Sequence, residues 1–69
     1  MENLKISLKA ARVNRGMTQN EAAKAVKINR ETLIRWENGK SCPDGLKLIE
    51  LCQLYGISLD NIFLPQKST

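Results

Sequence analysis

Between Met17 and Gly39 the chain spells out the start of one short helix, a corner, the start of a second helix and its stop. Thr18-Gln19-Asn20-Glu21 is a capping box, in which the threonine hydroxyl caps the Glu21 amide and the Glu21 carboxylate reaches back to the threonine amide. Ala22, Ala23 and Val26 then project to one side. Lys27-Ile28 makes a tight corner, and Asn29 is an N-cap residue type for the next helix. At 100° per residue, about 3.6 residues per turn, Leu33 and Trp36 point one way and Arg30, Glu31, Ile34, Arg35 and Asn38 fan across the other. Asn38-Gly39 ends the second helix, with glycine free to take the left-handed conformation. Two helices this short do not stand alone in water, so the remaining residues must supply their core.

Those residues are arranged to do so. Leu4, Ile6 and Leu8 alternate with polar neighbours, the pattern of an extended arm over residues 1–6. Ser7 caps a helix that runs to Arg15 and stops at Gly16, with Leu8, Ala11, Arg12 and Arg15 on one face. Pro43-Asp44 opens a fourth helix whose Leu48, Leu51, Cys52 and Tyr55 form an i, i+3, i+4, i+7 stripe closed by Gly56. Ser58 is read as the cap of a short final helix carrying Leu59, Ile62 and Phe63, and Pro65 ends it. The expected fold is all-α, five short helices around one core, in a single domain over 1–69 with a frayed tail over 66–69.

A chain of 69 residues buries only about 60% of the surface its unfolded form exposes, which leaves a thin stability margin. Its two cysteines, Cys42 and Cys52, fall in no C-x-x-C or Cys/His cluster. They are read as reduced thiols of a cytoplasmic protein, with neither disulfide nor metal. No apolar h-region marks a signal peptide, and no run nears the roughly 20 apolar residues of a membrane span. Charge is unevenly placed. Residues 1–40 hold nine basic against four acidic side chains, a surplus of five, whereas 41–69 hold two against three. A basic half joined to a near-neutral half suits a polyanion-binding face backed by a packing or dimerisation face.

The stretch MTQNEAAKAVKINRETLIRWENG, residues 17–39, resembles the Cro/repressor-type helix-turn-helix family, also called the xenobiotic-response-element family. The similarity extends through PDGLKLIELCQLYGISLDNIF, which is like that family's two closing helices. It implies a lambda-repressor-like domain with the helix-turn-helix at about residues 18–38. It further implies that the helix at Asn29–Asn38 enters the major groove of double-stranded DNA, about 12 Å wide. Ala23 is small where the two helices cross. Lys27 departs from the pattern, standing where the family often has a glycine of positive φ.

By this resemblance Arg30, Glu31, Ile34 and Arg35 are the base-reading set. Arginine matches guanine O6 and N7 with two parallel N–H groups, isoleucine meets a thymine methyl, and glutamate accepts from a cytosine amino group. A solvated face with a Glu31–Arg35 i, i+4 ion pair is the competing description, and Ile34 is the residue that fits it poorly. Gln19, Asn29, Asn38, Gly39 and Lys40 match positions that meet phosphate, the last three as a loop offering backbone N–H groups and a cation. Arg12 and Glu37 resemble a structural ion pair between the first and third helices. The second half carries more apolar residues than one inward stripe uses. Leu46, Ile49, Leu54, Leu59 and Phe63 are therefore expected at a homodimer interface, as a palindromic operator requires. With no histidine and no glycine-rich phosphate loop, the chain is expected to be no enzyme and to use no metal, cofactor or small-molecule ligand. The alternative is a protein-binding adaptor or antitoxin module of the same fold. An antitoxin is expected to carry a toxin-wrapping extension, and only six residues follow Phe63.

Overall fold

A computed structural model describes residues 5–64, and it is built from four α-helices. They are α1 (Leu8–Arg15), α2 (Gln19–Ala25), α3 (Arg30–Glu37) and α4 (Gly45–Tyr55). Local chemistry sets their ends. The Ser7 hydroxyl accepts from the Ala10 amide at 3.0 Å, and Gly16 at φ 79° closes α1. Both halves of the capping box form at α2: the Glu21 amide donates to Thr18 Oγ1 at 3.1 Å, and the Thr18 amide donates to Glu21 Oε1 at 2.9 Å. Asn29 takes the backbone conformation of an N-cap, but its side chain makes no cap bond. Asp44 Oδ1 accepts from the Lys47 amide at 2.8 Å to start α4.

The expected fifth helix is instead one 3-10 turn, Leu59–Asn61, running into a strand. Strand β1 (Ile6–Ser7) pairs in parallel with β2 (Ile62–Phe63), Ile6 opposite Ile62 and Ser7 opposite Phe63. Few residues separate Ser58 from Pro65, too few to recover the cost of nucleating a helix. A β-branched and an aromatic residue favour the extended form once a partner strand is present. The extended arm supplies that partner through Ile6. The remainder of the expected arm, 1–4, and the expected tail, 66–69, lie outside the described residues.

Leu8, Ala11, Ala22, Ala23, Val26, Leu33, Trp36, Leu51, Cys52, Tyr55 and Ile62 form one core. Ala22 and Ala23 are buried on α2, which packs against α3, and small side chains there let helices approach closely. The stripe expected on α4 is present as Leu51, Cys52 and Tyr55 buried and Leu48 partly buried. Burial pushes the Cys52 thiol pKa up, consistent with a packing role. The expected surface patch is smaller than five residues. Leu46, Ile49, Leu59 and Phe63 are exposed, but Leu54 packs partly against the core.

Lys27 has φ 61°, so the turn does need the left-handed conformation and a lysine bears it, at a cost of about 1–2 kcal/mol. Trp36 is 8% exposed although it belongs to the helix with the polar outer face. As the one tryptophan in the chain it reports the fold directly. Its emission is expected to be blue-shifted in the native protein and to move red in urea; a solvent-like native spectrum would mean that α3 is rotated.

Candidate nucleic-acid interface

Leu33, fully buried, and Trp36 lock α3 from behind, and this fixes which side faces out. On that side Arg30, Glu31 and Arg35 are exposed. Ile34 is half-buried yet is not part of the core or of the apolar side chains packed against it. Glu31 and Arg35 form no ion pair among those of the described residues, so the solvated-pair description lacks its central contact. The structure thus brings all four expected base readers to one helix face.

The expected phosphate set is divided. Asn29, Asn38 and Lys40 are exposed at the two ends of α3. The loop amides, however, are engaged in closing the helix. Asn38 N–H donates to Ile34 O at 2.9 Å, Gly39 N–H to Trp36 O at 3.3 Å and Lys40 N–H to Arg35 O at 2.9 Å. That leaves the Asn38 amide side chain and the Lys40 ammonium as the groups free to meet an anion. Gln19 is half-buried, and its Nε2 donates to Glu37 Oε1 at 3.0 Å. A depression of about 300 Å³ opens beside it, with Thr18, Gln19, Asn20 and Arg30 on its rim. This depression joins the N-terminal ends of α2 and α3 into one surface.

Glu37 is the hub beneath this surface. Its side chain is 2% exposed, and Arg12 Nε donates to its Oε2 at 2.8 Å while Arg12 Nη2 reaches Oε1 at 3.4 Å. Arg12 Nη1 also donates to the Met17 carbonyl at 2.8 Å. One buried pair therefore ties α1, the loop before α2, the first residue of α2 and the last residue of α3. The bidentate fork suits arginine and would not be reproduced by lysine.

Tyr55 belongs to the same neighbourhood. Its hydroxyl is buried without a hydrogen-bond partner among the described residues, and its pKa is pushed up to about 12. Desolvation is the main cause, the Glu37 charge adds to it, and Arg12 opposes it. Because the folded pKa exceeds the ordinary value near 10, a phenol that stays neutral rather than ionised contributes to stability below about pH 10. That contribution is lost as pH rises through about 12, and on the order of 3 kcal/mol is at stake. Tyr55→Phe is expected to flatten this alkaline loss and to be neutral or stabilising at pH 7. Denaturation of the two proteins across alkaline pH checks it; parallel alkaline losses would contradict it.

Sequence reasoning missed the contact at the far end of α2. Lys47 Nζ, from α4, donates to the Val26 carbonyl at 2.7 Å and meets Glu50 Oε1 at 3.3 Å. Nothing local in the sequence signals a bond between residues this far apart.

With this geometry in hand, the chain matches the helix-turn-helix family over residues 8–62 and belongs to it, as a Cro/C1-type domain. It is also similar to a protein of Methanocaldococcus jannaschii described as an uncharacterized HTH-type transcriptional regulator. The two are 30% identical over 61 residues, which span 88% of this chain and 92% of the relative. Within the helix-turn-helix pair of this chain, α2 is the first helix and α3 the second. No helix among the described residues is long and apolar enough to cross a membrane.

Proposed function

We propose that this protein is a transcriptional regulator that binds double-stranded DNA sequence-specifically, with α3 in the major groove. The observation that carries the reading is the two-sided character of α3, with Leu33 and Trp36 anchored in the core and Arg30, Glu31, Ile34 and Arg35 left on the outer face. Arg30 and Arg35 read guanine edges, Ile34 packs on a thymine methyl, and Glu31 selects cytosine. Lys40, Asn38, Asn29 and Gln19 position the helix on the phosphodiester backbone. Gln19 does so while held by Glu37, so its carbonyl oxygen and second N–H are constrained along with it.

A second copy completes the reader. Leu46, Ile49, Leu59 and Phe63, together with the partly buried Leu54, give the homodimer its apolar contact. Two recognition helices then address the two halves of a palindrome. The protein works in the cytoplasm, on the nucleoid, as a binder rather than a catalyst, and needs no cofactor.

Selection of bound duplexes from a random pool tests this reading. A palindromic consensus with half-sites about 10 bp apart, or a multiple of that, is the expected result. A single unrepeated half-site would remove the dimer and keep the DNA reading. No enrichment at all would favour the protein-binding alternative.

A further inference from the structure

The left-handed residue Lys27 raises the question of what holds the turn between α2 and α3 in place. Strained backbone persists only where its surroundings over-determine it. The amides of the turn all bond back onto α2: Val26 N–H to Ala22 O at 3.2 Å, Lys27 N–H to Lys24 O at 3.2 Å and Ile28 N–H to Ala23 O at 2.9 Å. These bonds shape the turn but do not attach it to the rest of the molecule. The Val26 carbonyl, at the C-cap of α2, has no acceptor role within its own helix. It is taken by the Lys47 ammonium at 2.7 Å.

The placement favours a strong bond. A cation at a helix C-terminus complements the partial negative charge there, and charge-assisted donors make short contacts. Lys47 is itself fixed, because its amide is capped by Asp44 at 2.8 Å and its ammonium meets Glu50 at 3.3 Å. Val26 and Ile28 anchor the inner side of the turn in the core, and Lys47 holds its outer flank. A groove of about 430 Å³ lies between the turn and α4, walled by Val26, Lys27, Lys47 and Leu54.

We infer that Lys47, which lies outside the helix-turn-helix pair, is a positioning residue that clamps the turn and thereby sets the attitude of α3 for sequence reading. The inference rests on the DNA reading proposed above. Its physical core is a difference in tolerance. Bidentate contacts to base edges need the helix within a fraction of an ångström and some 10–20°, whereas phosphate attraction survives small rotations. Loosening the turn therefore costs discrimination and leaves the electrostatic part of binding in place.

Lys47→Met keeps the apolar stem and removes the donor. Binding is measured on the duplex obtained by selection and on a random duplex of equal length, each over a salt series. The variant is expected to lose about tenfold on the selected duplex, to stay within about twofold on the random one and to keep the salt slope of the parent. Amide hydrogen exchange at Lys27 and Ile28, without DNA, is expected to quicken at least about tenfold. A suppressor makes the test sharper: glycine accepts positive φ without strain. The loss on comparing Lys27→Gly/Lys47→Met with Lys27→Gly alone is expected to shrink to about twofold. If Trp36 emission shows that Lys47→Met is unfolded, Lys47→Gln, whose donor is too short to reach Val26, replaces it in every arm.

A salt slope lower by about one unit overturns the inference, since Lys47 would then be a phosphate contact. Equal losses on both duplexes, or exchange at the turn unchanged from the parent, overturn it as well. A parent that binds no duplex overturns the DNA reading and the positioning role together. A parent that binds, with Lys47→Met binding the selected duplex equally well, overturns the role of Lys47 alone.

Discussion

Arg12→Ala is expected to lower the stability of the fold by about 3–5 kcal/mol, because it leaves the Glu37 carboxylate buried without its cation. A domain of 69 residues has a total stability of about 3–10 kcal/mol, so this one substitution brings it to the edge of unfolding. The size follows from burial. Glu37 is 2% exposed in its side chain and Arg12 9%, so water cannot screen the charge that remains. Gln19 keeps one bond to Glu37 at 3.0 Å, which an uncharged amide offers without cancelling the charge. Replacing both partners by apolar residues, as in Arg12→Met/Glu37→Leu, is expected to recover most of the loss, since no uncompensated charge is left. Urea denaturation followed by Trp36 emission measures both variants. An Arg12→Ala protein that unfolds like the parent yet binds DNA poorly would make Arg12 a contact residue instead of a strut.

The parts of this fold that were legible in the sequence are those governed by neighbours along the chain. Ser7, the Thr18–Glu21 box and Asp44 start helices by reaching amides three residues on, and each is seen doing so. Leu33 and Trp36 point inward by helical spacing alone, and both are buried. What escaped depends on residues distant in sequence. Leu59, Ile62 and Phe63 look like one helical face until Ile6, at the opposite end of the chain, offers Ile62 a strand to pair with. Leu54 lies off the α4 stripe but still packs partly against the core. The Asn38-Gly39-Lys40 loop is expected both to stop α3 and to offer amides to phosphate, and closing α3 engages all three amides.

The candidate site shows the same division. Its outer face follows from the period of α3, so Arg30, Glu31, Ile34 and Arg35 were found together without knowledge of the fold. Its supports do not. The pairing of Arg12 with Glu37 was suggested by family resemblance, not by spacing, and the bonds from Gln19 to Glu37 and from Lys47 to Val26 carry no local signature.

Base reading by α3 is tested most directly by comparing Arg35→Ala with Lys40→Ala on two DNAs. The selected operator and a random duplex of the same length are titrated with each variant over a range of salt. Lys40 is exposed beyond the end of α3 and offers a point charge, which recognises phosphate but not sequence. Lys40→Ala is therefore expected to weaken both DNAs about equally and to flatten the salt slope by about one unit per contact. Arg35 projects from the outer face of α3, opposite the buried Leu33 and Trp36. Arg35→Ala is expected to cost about 1–3 kcal/mol per half-site on the operator, to relax the preference at one symmetric base-pair position, and to change random-DNA binding far less. Equal losses from Arg35→Ala on the two DNAs would contradict base reading by Arg35 and move it toward Arg30, and no loss from either variant, with no salt-dependent binding in the parent, would contradict the DNA reading altogether.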